Sequence, residues 1–89
     1  MRAVITVLGN DRVGIIAKVS EILAVSNVNI LDISQTIMQE IFTMIMLVDI
    51  SKMESQFDSL SARLEEAGSE LGLSIKIQHE EIFNSMHRI

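Results

Sequence analysis

The sequence predicts an α+β fold of the ferredoxin-like type, βαββαβ, with an antiparallel sheet in the order 4-1-3-2 and two helices on one face. Three observations predict it. Apolar periodicity switches between two and 3.6 in the order strand, helix, strand, strand, helix, strand. Two of the strand-like runs, at residues 3–8 and 41–50, are apolar on both alternating sets, as central strands are. The other two, at 29–38 and 73–79, alternate apolar with polar residues and suit the edges. Right-handed crossovers in both βαβ units then put both helices on the same side.

Arg2 to Leu8 is the first strand, and Gly9-Asn10-Asp11-Arg12 is the turn after it. A helix over roughly Val13 to Ser26 sets Ile15, Val19, Ile22 and Leu23 on one face, with Lys18 and Glu21 turned away. Asp11 or Asn10 is placed to cap its N-terminus, and Asn27 suits a left-handed exit. Asn29 to Met38 is the second strand, with Leu31, Ile33 and Ile37 alternating with Asp32, Ser34 and Thr36. Gln39-Glu40 is a tight turn without the usual glycine. Ile41 to Ile50 is the third strand: Phe42, Met44, Met46 and Val48 lie on one side, Ile41, Ile45 and Leu47 on the other.

Ser51-Lys52-Met53-Glu54 fits a capping box, with Ser51 as N-cap and Glu54 reaching back. The helix behind it carries Met53, Phe57, Leu60, Leu64, Ala67 and Leu71 at alternating steps of four and three, and Gly68 or Gly72 ends it. Leu73 to His79 is the fourth strand, with Leu73, Ile75 and Ile77 inward. Residues 1–89 form a single domain, of which 80–89 are a C-terminal tail. In that tail Ile82, Phe83, Met86 and Ile89 recur at the spacing of a short amphipathic helix.

This arrangement leaves the second sheet face, with one apolar set from each central strand, uncovered by helices. A domain of this size buries only roughly 60–65% of its unfolded surface, yet 48% of its residues are hydrophobic. A second copy of the chain, the tail, or both are expected over that face. A homo-oligomer, most simply a dimer, is the expected state.

Composition removes whole classes of function. The net charge is −5, the seven basic residues are scattered, and Tyr and Trp are absent. A nucleic-acid surface needs clustered cations and stacking rings. Without cysteine there are no disulfides, thiolate nucleophiles or thiolate-bound metals. A cytoplasmic home without membrane attachment is expected, and the N-terminus reads as a strand rather than a leader. His79 and His87 are eight residues apart, which is no metal spacing, and the strand methionines read as core filling. No cofactor motif of the phosphate-loop or dinucleotide kind occurs.

One segment has the chemistry of a ligand site. Gly9-Asn10-Asp11-Arg12-Val13-Gly14 joins a central strand to a helix N-terminus. First-turn N–H groups there lack helical partners, and the helix dipole adds about half a positive charge. A carboxylate is favoured at such a place, while Asp11 and Asn10 offer partners to an ammonium group. The same residues also fit a plainly capped turn with nothing bound, and the chemistry leaves both readings open.

Val7 to Ala17, followed by Ile22-Leu23-Ala24 and Asn27-Val28-Asn29-Ile30, resembles the ACT domain family. The likeness runs over nearly the whole chain through the βαββαβ pattern. It is similar to small free-standing bacterial ACT-domain proteins and to the ACT halves of the glycine-cleavage repressor. The resemblance implies a regulatory domain rather than an enzyme, dimeric, binding an amino acid at the subunit interface and acting in trans. It implies ligand roles for Asn10, Asp11, Gly14 and Asn29, with Asn29 offering its amide across the subunit boundary. Val13 stands where the family usually has proline, which loosens the loop. Two other readings stay in view. One is a ligand-free protein-interaction module using the sheet face and the tail. The other is an acylphosphatase-like hydrolase, for which Arg12 is the only loop arginine and no matching asparagine pattern follows.

Overall fold

The computed structural model describes residues 1–82. Its elements are β1 (Arg2–Asn10), α1 (Ile15–Val25), β2 (Asn29–Met38), β3 (Ile41–Asp49), α2 (Phe57–Leu71) and β4 (Leu73–His79). The sheet order is β2-β3-β1-β4, with every neighbouring pair antiparallel. This is the 4-1-3-2 order that the patterning predicts. Residues 80–82 open a helical turn; the rest of the predicted tail stripe, Phe83, Met86 and Ile89, lies outside the described residues.

The core forms between the sheet and the two helices. Ala3, Ile5 and Val7 of β1 and Phe42, Met44, Met46 and Val48 of β3 face Ile15, Val19 and Leu23 of α1. Leu60 and Leu64 of α2 and Ile75 and Ile77 of β4 complete it. Met44 and Met46 are fully buried, so the unbranched methionines do fill the core. Gly68 lies inside α2, not at its end. A Cβ there would stand 2.7 Å from the Leu73 carbonyl oxygen, so its absence lets α2 pack close on β4. Gly72, left-handed at φ 71°, ends the helix.

Both helix starts differ from expectation. β1 runs two residues further because Gly9 and Asn10 pair with Phe42 and Ile41. The Asp11 N–H then donates to the Glu40 carbonyl oxygen at 2.8 Å. Held in that way, neither Asn10 nor Asp11 caps α1. The N-cap is Gly14, at φ 95°, a conformation that excludes most side chains. The capping box also fails. The Ser51 N–H donates to Asp49 Oδ1 at 2.9 Å and the Met53 N–H to the Ile50 carbonyl at 3.1 Å, a local turn that outcompetes the cap. α2 therefore starts at Phe57, with Gln56 as a side-chain-free cap, and Ser51 and Glu54 lie in the loop before it.

The helix exit at Asn27 is as expected, with φ 61° and the Val28 N–H donating to the Leu23 carbonyl at 2.9 Å. In the tight turn, Gln39 takes a left-handed φ of 59°. β2 is the larger surprise. A bulge between Ile30 and Asp32 moves Leu31 out of the Ile33 and Ile37 set, and neither helix covers the outer half of the strand. All three of these apolar residues are exposed.

Candidate functional site

The predicted loop stands at one end of the sheet. Asn10 ends β1 opposite Ile41, and the Asp11–Glu40 backbone bond ties the loop to the β2–β3 turn. Arg12 Nη1 donates to the Leu71 carbonyl at 3.4 Å, which commits the guanidinium to the C-terminus of α2. It does not form a phosphate cradle with the loop. The first helical bond of α1 runs from the Lys18 N–H to the Gly14 carbonyl, 2.9 Å. No side chain caps α1, and no acidic residue sits in its first turn. Its leading N–H groups are therefore open to an anion. A Cβ on Gly14 would meet nothing within 4 Å, so the chain does not crowd that position at the start of the helix. Asn10, Asp11 and Gly14 are all exposed around it, and Val13 is 98% exposed.

Asn29 is elsewhere. It pairs with Asp49, which pairs with Arg2, at the far end of β1 from Asn10. Eight residues of strand separate those rows, about 26 Å at roughly 3.3 Å per residue. Within one chain the structure brings Asn10, Asp11 and Gly14 together and leaves Asn29 apart.

Around Asn29 there is a cavity of about 300 Å³, lined by Ala24, Asn27, Val28, Asp49, Ser51 and Lys52 as well. Its two walls come from distant parts of the chain. Asn27 Nδ2 donates to the Lys52 carbonyl at 2.8 Å and ties them together. The Ser51 backbone N–H, and after it the Ser51 hydroxyl, hold the Asp49 carboxyl below its ordinary value. Among the described residues Lys52 makes no ion pair. The cavity thus presents a carboxylate, an ammonium and amide groups side by side. Sequence reasoning missed Asp49, Ser51 and Lys52. The signal that could have found them was a polar break directly after the most apolar strand, and the capping-box pattern absorbed it.

His79 stacks on Phe57 with ring centroids 4.2 Å apart and so packs as a structural residue. Among the described residues no group of three potential ligands could hold a metal, and no helix is long and apolar enough to cross a membrane.

Comparison with known proteins agrees with this geometry. A UPF0237 protein of Clostridium acetobutylicum is 63% identical over the full length of both chains. An ACT domain protein from Streptococcus pneumoniae, of known structure, is 43% identical with a TM-score of 0.80, covering 93% of each chain. A protein assigned as a glycine cleavage system transcriptional repressor is 27% identical with a TM-score of 0.67. That match covers 86% of this chain but only 44% of the other, so one such domain spans less than half of that protein. The ACT domain model itself matches residues 2–78, from the first residue of β1 to the penultimate residue of β4, and the chain belongs to the ACT domain family.

Proposed function

We propose that this protein is a cytoplasmic regulatory domain that senses an amino acid at a dimer interface and acts in trans. The observation that carries the reading is the open N-terminus of α1 above Gly14, with Asn10 and Asp11 exposed beside it. A carboxylate suits the uncapped N–H groups and the helix dipole. The ammonium of the same ligand suits Asp11 and the Asn10 amide oxygen.

The distance to Asn29 supports a two-chain site. β2 is an exposed edge strand of ten residues, with a row of backbone groups free to pair. Two such edges joined antiparallel set Asn29 of one copy beside the β2–β3 turn of the other. The Asp11 bond to Glu40 fixes the ligand loop to that turn. The Asn29 cavity of one copy then adjoins the loop of its neighbour, and Asp49 and Lys52 add a second charge pair to the site.

Isothermal titration and thermal shift against the common amino acids at millimolar concentration test the reading. A ligand at a hundredfold its Kd adds about 2.7 kcal/mol to stability. No stabilisation by any amino acid would sink the proposal. It would favour the second reading, a ligand-free interaction module, which the exposed Ile33, Ile37 and Met38 on the β2–β3 hairpin support.

A further inference from the structure

From the groups that line the Asn29 cavity and the partners they already hold, we infer that the amino acid sensed carries a second carboxylate on its side chain, bound by Lys52 and Asn29. The inference rests on the two-chain reading above and names the ligand class for that site.

The cavity measures about 300 Å³, the lower end of the range for ligand pockets. That suits one short side chain. Its walls are fixed through the backbone. Asn29 pairs with Asp49 across β2 and β3. The Met53 N–H donates to the Ile50 carbonyl oxygen at 3.1 Å and closes the turn that carries Ser51 and Lys52. Asn27 Nδ2 donates to the Lys52 carbonyl at 2.8 Å. The root of the Lys52 side chain is thereby anchored, while its flexible stem lets the ammonium follow a ligand.

The acceptors that could hold a cation are taken. Asp49 Oδ1 accepts the Ser51 N–H at 2.9 Å, and the Met1 ammonium stands 3.8 Å from the same oxygen. The Ser51 hydroxyl also bonds to this carboxylate. The Ala24 carbonyl accepts the Asn27 N–H at 3.1 Å, and the Lys52 carbonyl is held by the Asn27 side chain.

The donors are not taken. Among the described residues neither the Lys52 ammonium nor the Asn29 side chain has an ion-pair or hydrogen-bond partner. The charge left unpaired in the cavity is therefore positive, and it stands beside an amide with two N–H donors. A carboxylate satisfies both. A cationic side chain would meet Lys52 with the Asp49 charge already compensated. An apolar one would take water from Lys52 and Asn29 and give no partner in return. The C-terminal end of α1 at Ala24 opposes an anion only weakly, because its dipole amounts to a partial charge and that of Lys52 is whole. In the two-chain site the loop of one copy holds the α-carboxylate and α-ammonium. The side chain is then the part of the ligand that reaches the cavity of the other copy.

Isothermal titration of the full chain with glutamate, aspartate, glutamine, asparagine, leucine and lysine tests the inference, with circular dichroism confirming the fold of each variant. One dicarboxylic acid should bind at least about tenfold tighter than its amide, the effect of one charge-assisted bond. Lys52→Met keeps most of the stem and removes the charge. It should weaken that dicarboxylic acid about tenfold and leave its amide unchanged. Lys52→Glu should turn the preference towards lysine. Another amino acid binding as tightly as the better dicarboxylic acid would overturn the inference and leave the sensing reading standing. So would wild-type affinity for that acid in Lys52→Met. Binding of no amino acid at all would remove the sensing reading, and this inference with it.

Discussion

The Asp11 backbone N–H donates to the Glu40 carbonyl oxygen at 2.8 Å, so the loop proposed to hold ligand is fixed to the β2–β3 turn by main-chain atoms alone. The Asp11 side chain is therefore free of structural duty among the described residues. Asp11→Ala should leave the unfolding midpoint nearly unchanged, within about 0.5 kcal/mol. It should weaken amino-acid binding by about 1 kcal/mol or more, the loss of a charge-assisted bond. Asn29→Ala should do the same from the other half of the site. Titration calorimetry on the two variants decides the matter, and wild-type affinity in both would remove these residues from the site.

The glycines of α1 and α2 separate two kinds of constraint. Gly14 has open space around it but a φ of 95°, so Gly14→Ala meets only backbone strain, roughly 1 kcal/mol. Gly68 has helical geometry but no room, because an added methyl carbon would stand 2.7 Å from the Leu73 carbonyl oxygen. Gly68→Ala gains up to about 1 kcal/mol of helix propensity and loses roughly 1–3 kcal/mol to overpacking against β4. Denaturant melts should show both variants destabilised, and only Gly68→Ala should lower the protection of β4 amides from hydrogen exchange.

Phe42 and Ile45 lie on the same, most apolar strand, and the alternation puts them on opposite faces without saying which face the helices cover. The structure separates them: Phe42 is 3% exposed in the core, Ile45 is 42% exposed on the open face. Phe42→Ala should cost roughly 3–5 kcal/mol by cavity formation. Ile45→Ala should cost about 1 kcal/mol or less at a protein concentration that keeps the chain monomeric. Chemical denaturation at that dilution measures the difference, and equal losses would mean that Ile45 is covered within a single chain.

How much of this could be read from the sequence depends on how local each cause is. Strands β2 and β4 match their expected limits of 29–38 and 73–79 because alternation, turn residues and pairing all agree there. The helix starts do not match, because each was decided by a competitor distant from the motif or beside it. Asn10 was claimed by its partner Ile41 on β3, and Ser51 by the carboxylate two residues earlier. The loop residues Asn10, Asp11 and Gly14 were legible as a group because they are contiguous. The cavity at Asn29 was not, since its walls meet through contacts distant in the chain: the Asn29–Asp49 strand pairing and the Asn27–Lys52 bond, 25 residues apart. Exposure of the outer half of β2 was equally hidden, because alternation reports which residues share a face, and only the placement of the helices decides whether that face is covered.

Asp49 offers a check on the cavity wall that needs no ligand. Its carboxyl is held low first by the Ser51 backbone N–H and then by the Ser51 hydroxyl. A carboxylate whose folded pKa is below its unfolded value stabilises the fold at pH above the unfolded value, and that contribution disappears as pH falls through the folded pKa. The window for Asp49 therefore lies in acid, below the ordinary value of 3.8. Carboxyl-carbon NMR titration should give a midpoint below that value. Ser51→Ala removes only the smaller of the two donors, so the midpoint should rise part of the way and stop short of the ordinary value. A full return would mean that the hydroxyl, not the turn, holds the carboxylate. An unshifted wild-type midpoint would mean that the turn of residues 49–51 does not persist in solution, and the cavity beside Asn29 would lose one of its fixed walls.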